Sequence, residues 1–480
     1  MGLKQFTIDF AKITKEASNR FDVNFIDFYR KPKQKSYPFK DLFTIEVFTK
    51  KDRMKLLDNL EDDFYYCEIG NCSKEGEVEP QTLNFEKRNE LTEDYFKKIE
   101  KGDIQKIQAG NILVSKVRPN LKKYIYVTDE YHEYYYTTAF LNLHPRKMNK
   151  VLYYALRTIF YGDLMAIARQ GKGYPTLKEN DLFTLRFDKR MIDKLEKNEK
   201  SITDKIESIE TIVQSLKTTL KPTYSVINQV FAREFNFNID RVSEVACVGE
   251  YNIAGDFVYR NHNLRMSVRW NKIESIQKEL YKNCKCIQKL GRLNLKTKNG
   301  WSPSCRESDT KYSVFGVNSL SKDTSMTFED LKTTDETRSN IDDYFVKEGD
   351  LFISRGNTVD LVALASIVRN LPEDQEIIFP DLFIRIDVDE ELVLKEYLAY
   401  LFNSIIGRLY FKYVTKGKNQ TMVKVSADEL SNFYIPVPTI RRQKLIIQEI
   451  KKEFDRQEKI KNKIDIERQK IKEIIFQSIN

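Results

Sequence analysis

From Lys189 to Phe235 the apolar positions recur in steps of three and four. Ile192, Leu195, Ile202, Ile206, Ile209, Val213, Leu216 and Leu220 keep to one stripe, and Glu199 is its only polar interruption. That spacing brings each residue back to the same side of a helix and predicts a coiled-coil seam. Pro222 has no N–H and crowds the preceding turn, so the helix is expected to kink or end there and resume to about residue 235. Residues 439–480 carry a second long pattern, with Ile447, Ile450, Phe454, Ile464, Ile471 and Ile475 on one stripe and Gln457, Lys461 and Arg468 interrupting it. Thirty to forty residues of helix measure roughly 45–60 Å at 1.5 Å per residue. Two such rods do not fit inside one compact core, so each is the expected antiparallel partner of the other. The alternatives are packing of each rod on its own segment, or a coiled coil between copies of the chain.

Shorter patterns fill the segments between the rods. "NILVSKV" (111–117) and "DLFISRG" (350–356) are apolar, β-branched runs behind a glycine and predict strands, as do "LFTLRF" (182–187) and "FIRIDV" (383–388). "VLYYALRTIFYGDLMAIA" (151–168) and "LKEYLAYLFNSIIGRLYFKYV" (394–414) keep apolar residues at helical spacing and each predict a buried helix. Strands and helices mix without the regular alternation of a doubly wound sheet, which gives the class α+β.

The chain also repeats itself. "NRFDVNF" (19–25) is similar to "LRMSVRW" (264–270), and "AGNILVSKVRP" (109–119) to "EGDLFISRGNT" (348–358). The buried-helix segments match next, and a long charged helix closes each half. "GKGYPTLKENDL" (171–182) and "GKNQTMVKVSADEL" (417–430) share Gly-Lys, a polar loop, an acidic residue and a leucine. Collinear matches at a nearly fixed offset argue for duplication. The expected architecture is two similar domains, residues 1–188 and 236–438. They are separated by long antiparallel helices, residues 189–235 and 439–480, in an intramolecular coiled coil of pseudo-twofold character.

Composition narrows the function. Eighty Lys and Arg stand against 71 Asp and Glu, a net charge of +9, which leans toward a polyanionic partner. The six cysteines lack metal-ligand spacing and the histidines are only His132, His144 and His262, so a zinc site is not expected; reduced thiols in a cytosol are. Neither a signal peptide nor a membrane-spanning apolar run is evident. Gly171-Lys172 and Gly417-Lys418 lack the rest of a phosphate-binding P-loop, and no G-x-G-x-x-G follows a strand. Asp381 and Glu390 faintly suggest a nuclease's acidic strand but have no lysine at the needed spacing, so a solvated strand edge explains them better. No catalytic centre emerges.

Polar, basic loops beside aromatics do occur in matching places. The first half offers Lys116, Arg118, Lys122, Lys123, Arg169, Lys172, Tyr174 and Thr176; the second offers Arg355, Asn357, Lys416, Lys418, Asn419, Gln420 and Thr421. Cations neutralise phosphates, and Arg, Asn and Gln can read base edges. A solvated turn explains any one loop; recurrence in both halves favours DNA. A scaffold binding protein instead of DNA, and a recognition subunit of another defence system, stay open as alternatives.

These residues resemble the specificity subunit of type I restriction-modification systems. The resemblance is carried by "GNILVSKVRP", "GDLFISRGNT", "GKGYPTLKENDL" and "GKNQTMVKVSADELSNFYIPVPTIRRQKLIIQEI", with Gln443 at the helix start after "IPVP". It covers roughly residues 100–235 and 345–480; the remainder matches mainly by position. It implies two target-recognition domains reading a bipartite double-stranded DNA site across an unread gap. It implies paired helices that set the gap and dock two methyltransferase subunits, which bind S-adenosylmethionine and methylate adenine N6. Restriction subunits using ATP and magnesium can join the complex. The chain itself would hold no cofactor or metal, perform no chemistry, and work in the cytoplasm. It departs from its own repeat in two places: "YPT" stands where the second half has "NQT", and only the first long helix contains a proline.

Overall fold

The computed structural model describes residue 20 and residues 23–30, 36–88, 92–170, 173–248, 268–306, 311–373, 375–416 and 422–480. Its polypeptide divides into two compact units, residues 1–218 with 462–480, and residues 219–461.

In the first unit an antiparallel sheet runs in the order β2 (Phe43–Glu46), β9 (Phe140–Pro145), β6 (Ile112–Ser115) and β7 (Tyr124–Tyr126). All four residues of β6 are buried, which explains an apolar run without alternation. A second sheet runs β4 (Gln81–Asn84), β3 (Asp63–Cys67), β8 (Tyr135–Tyr136) and β5 (Gln105–Lys106), with β3 parallel to β8. A short ribbon pairs β1 (Ser36–Pro38) with β12 (Arg186–Asp188). The strand in "LFTLRF" thus begins only at Arg186. Leu182 and Leu185, fully buried, instead serve the turn before it.

The second unit has the same strand order. Its main sheet runs β14 (Lys296–Asn299), β21 (Phe383–Asp387), β17 (Leu351–Ser354) and β19 (Ala365–Ile367), all antiparallel. Beside it lie β16 (Lys332–Thr334), β15 (Tyr312–Val314) and β20 (Ile377–Ile378), with β15 parallel to β20. The ribbon of β13 (Ile287–Lys289) and β23 (Tyr434–Pro436) completes the set. Even the glycine ahead of the buried strand has the same cause. Gly110 at φ +86° and Gly349 at φ +82° lie in the left-handed region that L side chains rarely enter. The amides of these two glycines bond to Val127 O and Val368 O, just beyond β7 and β19. The pairing of "NRFDVNF" with "LRMSVRW" lies largely outside the described residues, although helices α1 (Val23–Arg30) and α8 (Val268–Tyr281) start within those two stretches.

The two segments expected as single buried helices are each broken. The first forms α2 (Asn149–Arg157) and α3 (Tyr161–Ile167), the second α9 (Lys395–Asn403) and α10 (Ile405–Val414). At the second break Ser404 Oγ accepts from the Ile406 amide, and buried Asn228 accepts from the Ile405 amide at 2.6 Å. Gly407 also lets α10 pass the Phe402 backbone, which a Cβ would approach to 2.4 Å. Periodicity alone cannot register such a break, because both fragments keep their apolar faces buried.

The first long pattern forms three helices. These are α5 (Lys189–Lys197), α6 (Glu199–Thr218) and, after Pro222, α7 (Thr223–Phe235). The second is one helix, Ile440–Ile479. Within the first unit, Ile192, Leu195, Ile202, Ile206, Ile209 and Val213 are buried, as are Ile464, Ile471 and Ile475 of the terminal helix; Leu216 is half-buried. Lys194 Nζ donates to the carbonyls of Ile479 and Asn480, while Lys217 and Arg468 both meet Glu77, so the two rods run antiparallel there. In the second unit Ile227, Val230, Phe231 and Phe235 of α7 share one core with Ile446, Ile447 and Ile450, and Phe454 packs on it. Arg442 Nε donates to Glu234 at 2.7 Å, again antiparallel. Gln457, an interruption of the stripe, is buried, and its Oε1 accepts from the Lys221 amide just before Pro222. Leu220 is half-buried beside it, and Lys461 is exposed.

Candidate nucleic-acid interface

In each unit the end of the buried central strand meets a small hairpin. The Lys116 amide bonds to Ala139 O, and Lys116 O accepts from the Leu177 amide. The Arg355 amide bonds to Leu382 O, and Arg355 O accepts from the Val425 amide. Lys116 and Arg355 therefore occupy the same corner of the two units. The hairpin in the first unit pairs β10 (Arg169–Gln170) with β11 (Pro175–Thr176), and Val117 bridges to Thr176. In the second unit β18 (Gly356–Asn357) pairs with β22 (Val423–Lys424), and Lys416 bridges to Lys424.

The acidic residue and leucine shared by "KENDL" and "SADEL" hold the base of each hairpin. Asp181 and Glu429 both stand at the third position of a short helix, α4 (Glu179–Leu182) or α11 (Ala427–Ser431), and both are buried, as are Leu182 and Leu430. Asp181 accepts Nε and Nη2 of Arg169, each at 2.8 Å, and also the Lys178 amide. The buried Arg20 guanidinium stands 3.4 Å from the same carboxylate and donates to Ile167 O. Glu429 Oε2 accepts the Ser426 amide and hydroxyl, both at 2.7 Å, closing a capping box. Lys416 Nζ, mostly exposed, stands 3.3 Å from Glu429 Oε1 in an ion pair that lacks hydrogen-bond alignment. The first clamp is therefore bidentate and buried, the second single and half in water.

The remaining candidates separate into three groups. Lys116, Arg118, Tyr174 and Thr176 gather at the first corner, where Arg118 adopts φ +50° and its guanidinium lies 5.2 Å from the exposed Tyr174 ring. Arg355, Asn357 and Lys416 gather at the second. Lys122 and Lys123 turn inward: Lys122 Nζ donates to Arg157 O and covers the Tyr161 ring, and Lys123 Nζ donates to Ile69 O. Burial, with Arg157 and Lys472 nearby, lowers the Lys122 pKa. Arg169 is committed to Asp181. Lys172, Lys418, Asn419, Gln420 and Thr421 lie outside the described residues. Lys424, Thr297 and Asn299, which join Arg355 and Lys416 around one cavity, were not among the sequence candidates. Lysine as the fourth residue before the Asp-Glu-Leu end of the second repeat was the available signal for Lys424.

Among the described residues no group of three or more His, Cys, Asp or Glu is placed to hold a metal, and no helix is long and apolar enough to cross a membrane. Cys67 and Cys72 sit in one core, where burial raises both thiol pKa values, Cys72 to about 12.

Both units thus present a clamped, basic hairpin beside the end of a buried strand. Residues 287–474 match the family described as type I restriction modification DNA specificity domain. No curated protein sequence matches the chain. The solved structures that are similar include three of low identity. One chain, from work on complex assembly and conformational transition of the type I R-M system, is 12% identical with a TM-score of 0.43, covering 94% of this chain and 98% of that one. The HsdS subunit from Thermoanaerobacter tengcongensis is 13% identical with a TM-score of 0.34, covering 94% and 97%. The type I restriction-modification S subunit from M. genitalium is 12% identical with a TM-score of 0.34, covering 92% and 95%.

Proposed function

We propose that each unit reads one part of a bipartite double-stranded DNA target and that the chain presents this target to docked methyltransferase subunits. The observation that carries the reading is the recurrence of one corner in both units: Lys116 with the β10–β11 hairpin, Arg355 with the β18–β22 pairing. Cations on these corners fix the register on phosphates, and polar side chains read base edges in the major groove. The chain recognises and does not catalyse. S-adenosylmethionine is used by the methyltransferase subunits, which flip the target adenine out of the stack. ATP and magnesium are used by restriction subunits where these join. The paired helices set the unread interval and offer their charged faces for docking.

Lys172→Glu and Lys418→Glu variants test the hairpins. Each is expected to weaken binding to all duplexes and to make the salt dependence shallower by about one phosphate contact. Unchanged slopes in both would remove the hairpins from the interface. Deleting matched turns from both long helices should change the methylated interval and leave the half-sites as they were; altered half-sites would contradict the reading.

A further inference from the structure

The same corner is closed in one unit and open in the other. In the first unit Lys116 pairs with Glu179 at 3.0 Å, and the adjoining cavity is about 40 Å³. It is walled by Ile45 and Val47, and its charged lining is two cations, Arg53 and Lys116, against two carboxylates, Glu46 and Glu179. In the second unit Ala427 stands where Glu179 stands in the first, each opening its short helix. The cavity there is about 250 Å³. Thr297 and Asn299 of β14 replace the walls formed by Ile45 and Val47. Among the described residues, Arg355, Lys416 and Lys424 face one carboxylate, Glu429. That carboxylate is half spent on its capping box, and its other oxygen holds Lys416 at the rim. Among the described residues the Arg355 guanidinium makes one long contact, 3.4 Å to Asp381 O, and has no acidic partner.

We infer that the Arg355 cavity of the second unit binds a backbone phosphate of duplex DNA, and that Glu179 closes the equivalent position of the first unit. The inference rests on the DNA reading proposed above and adds to it an asymmetry: the second half holds a phosphate inside this cavity, while at the first corner Lys116 is spent on Glu179 and phosphate contact falls to Arg118 and the hairpin. A guanidinium with free donors, flanked by two ammonium groups and two neutral hydrogen-bonding side chains, matches a phosphodiester. An arginine already neutralised by a neighbouring carboxylate would release no counterion on binding.

The test reads the salt dependence of binding to a random-sequence duplex, using the full chain purified with the subunits it assembles with. Ala427→Glu, which copies the first unit, should make the slope of log K against log salt shallower by about 0.9, the value of one phosphate. Arg355→Met should do the same, and adding Ala427→Glu to Arg355→Met should change nothing further. Glu179→Ala frees Lys116 and should steepen the slope by about the same amount. Ala427 is exposed, and its counterpart already carries glutamate, so melting temperatures should match the parent. An unchanged slope in Ala427→Glu overturns the inference while leaving DNA reading intact. So does a slope that still falls when Arg355 is absent, which would reveal general repulsion. Calorimetric binding of inorganic phosphate that is lost in Arg355→Met, with slopes unaltered, would assign the cavity to a free anion and overturn the duplex. Failure of the parent to bind any duplex overturns both readings.

Discussion

Replacing Asp181 by alanine should unfold the first unit far more readily than the matching change unfolds the second. The Asp181 carboxylate is fully buried, as is the Arg20 guanidinium beside it, while Arg169 is about one-third exposed. Removing the carboxylate takes one anionic partner from that buried guanidinium, and breaking a buried ion pair costs ~3–5 kcal/mol. Arg169 can swing toward water, so its own share is small. Glu429→Ala removes a capping box and an ion pair whose lysine is mostly exposed. The cap is worth ~0.5–2 kcal/mol and the exposed pair ~0–1 kcal/mol. For a unit of this size ~1 kcal/mol moves the midpoint by roughly 2–4 °C. Asp181→Ala should therefore lower one calorimetric transition by roughly 10 °C, and Glu429→Ala the other by only a few degrees. Hydrogen exchange of the Ile112 and Leu351 amides, in β6 and β17, assigns each transition to its unit. A shift below ~1 kcal/mol for Asp181→Ala would refute the claim that this carboxylate holds a buried charge.

Two further outcomes follow from local geometry. Gly110→Ala should destabilise more than Gly349→Ala: both incur the left-handed penalty of ~1–2 kcal/mol, but only at Gly110 does a Cβ meet another atom, Asn149 Nδ2 at 2.8 Å; equal losses by urea denaturation would contradict this. Mildly alkaline iodoacetamide should label exposed Cys247 and Cys305 first and leave Cys67 and Cys72 unmodified until denaturant is added. Burial raises those two thiols, so the reactive thiolate appears only at much higher pH, and mass mapping that found Cys72 labelled in the native chain would sink the argument.

The strands "NILVS" and "LFIS", the seam of α5 and α6 and the terminal helix were legible because each sits in a two-sided or striped environment that imprints a period on the sequence. The break at Ser404 was not, since it draws on Asn228, distant in the chain, and that at Thr158 was not, because both of its fragments keep their apolar faces buried. The repeated phrase was readable as a repeat but not as a division of labour. Its Gly-Lys end suggested contact with DNA, while its acidic-leucine end turned out to be the buried foot of the hairpin. Arg169 illustrates the limit: a basic residue in a polar loop looks free until the buried carboxylate twelve residues on is seen to hold it.

The bond from the Lys221 amide to Gln457 has a consequence for how the second unit tolerates sliding of its helices. A shift of the terminal helix by one turn, about 5.4 Å, would strand a backbone donor beside Pro222 and drive an amide side chain among apolar neighbours. Each orphaned group costs ~1–3 kcal/mol, whereas an all-leucine stripe would slide at little cost. The buried polar residue on this track thus works as a detent, trading a little adhesion for a single permitted alignment.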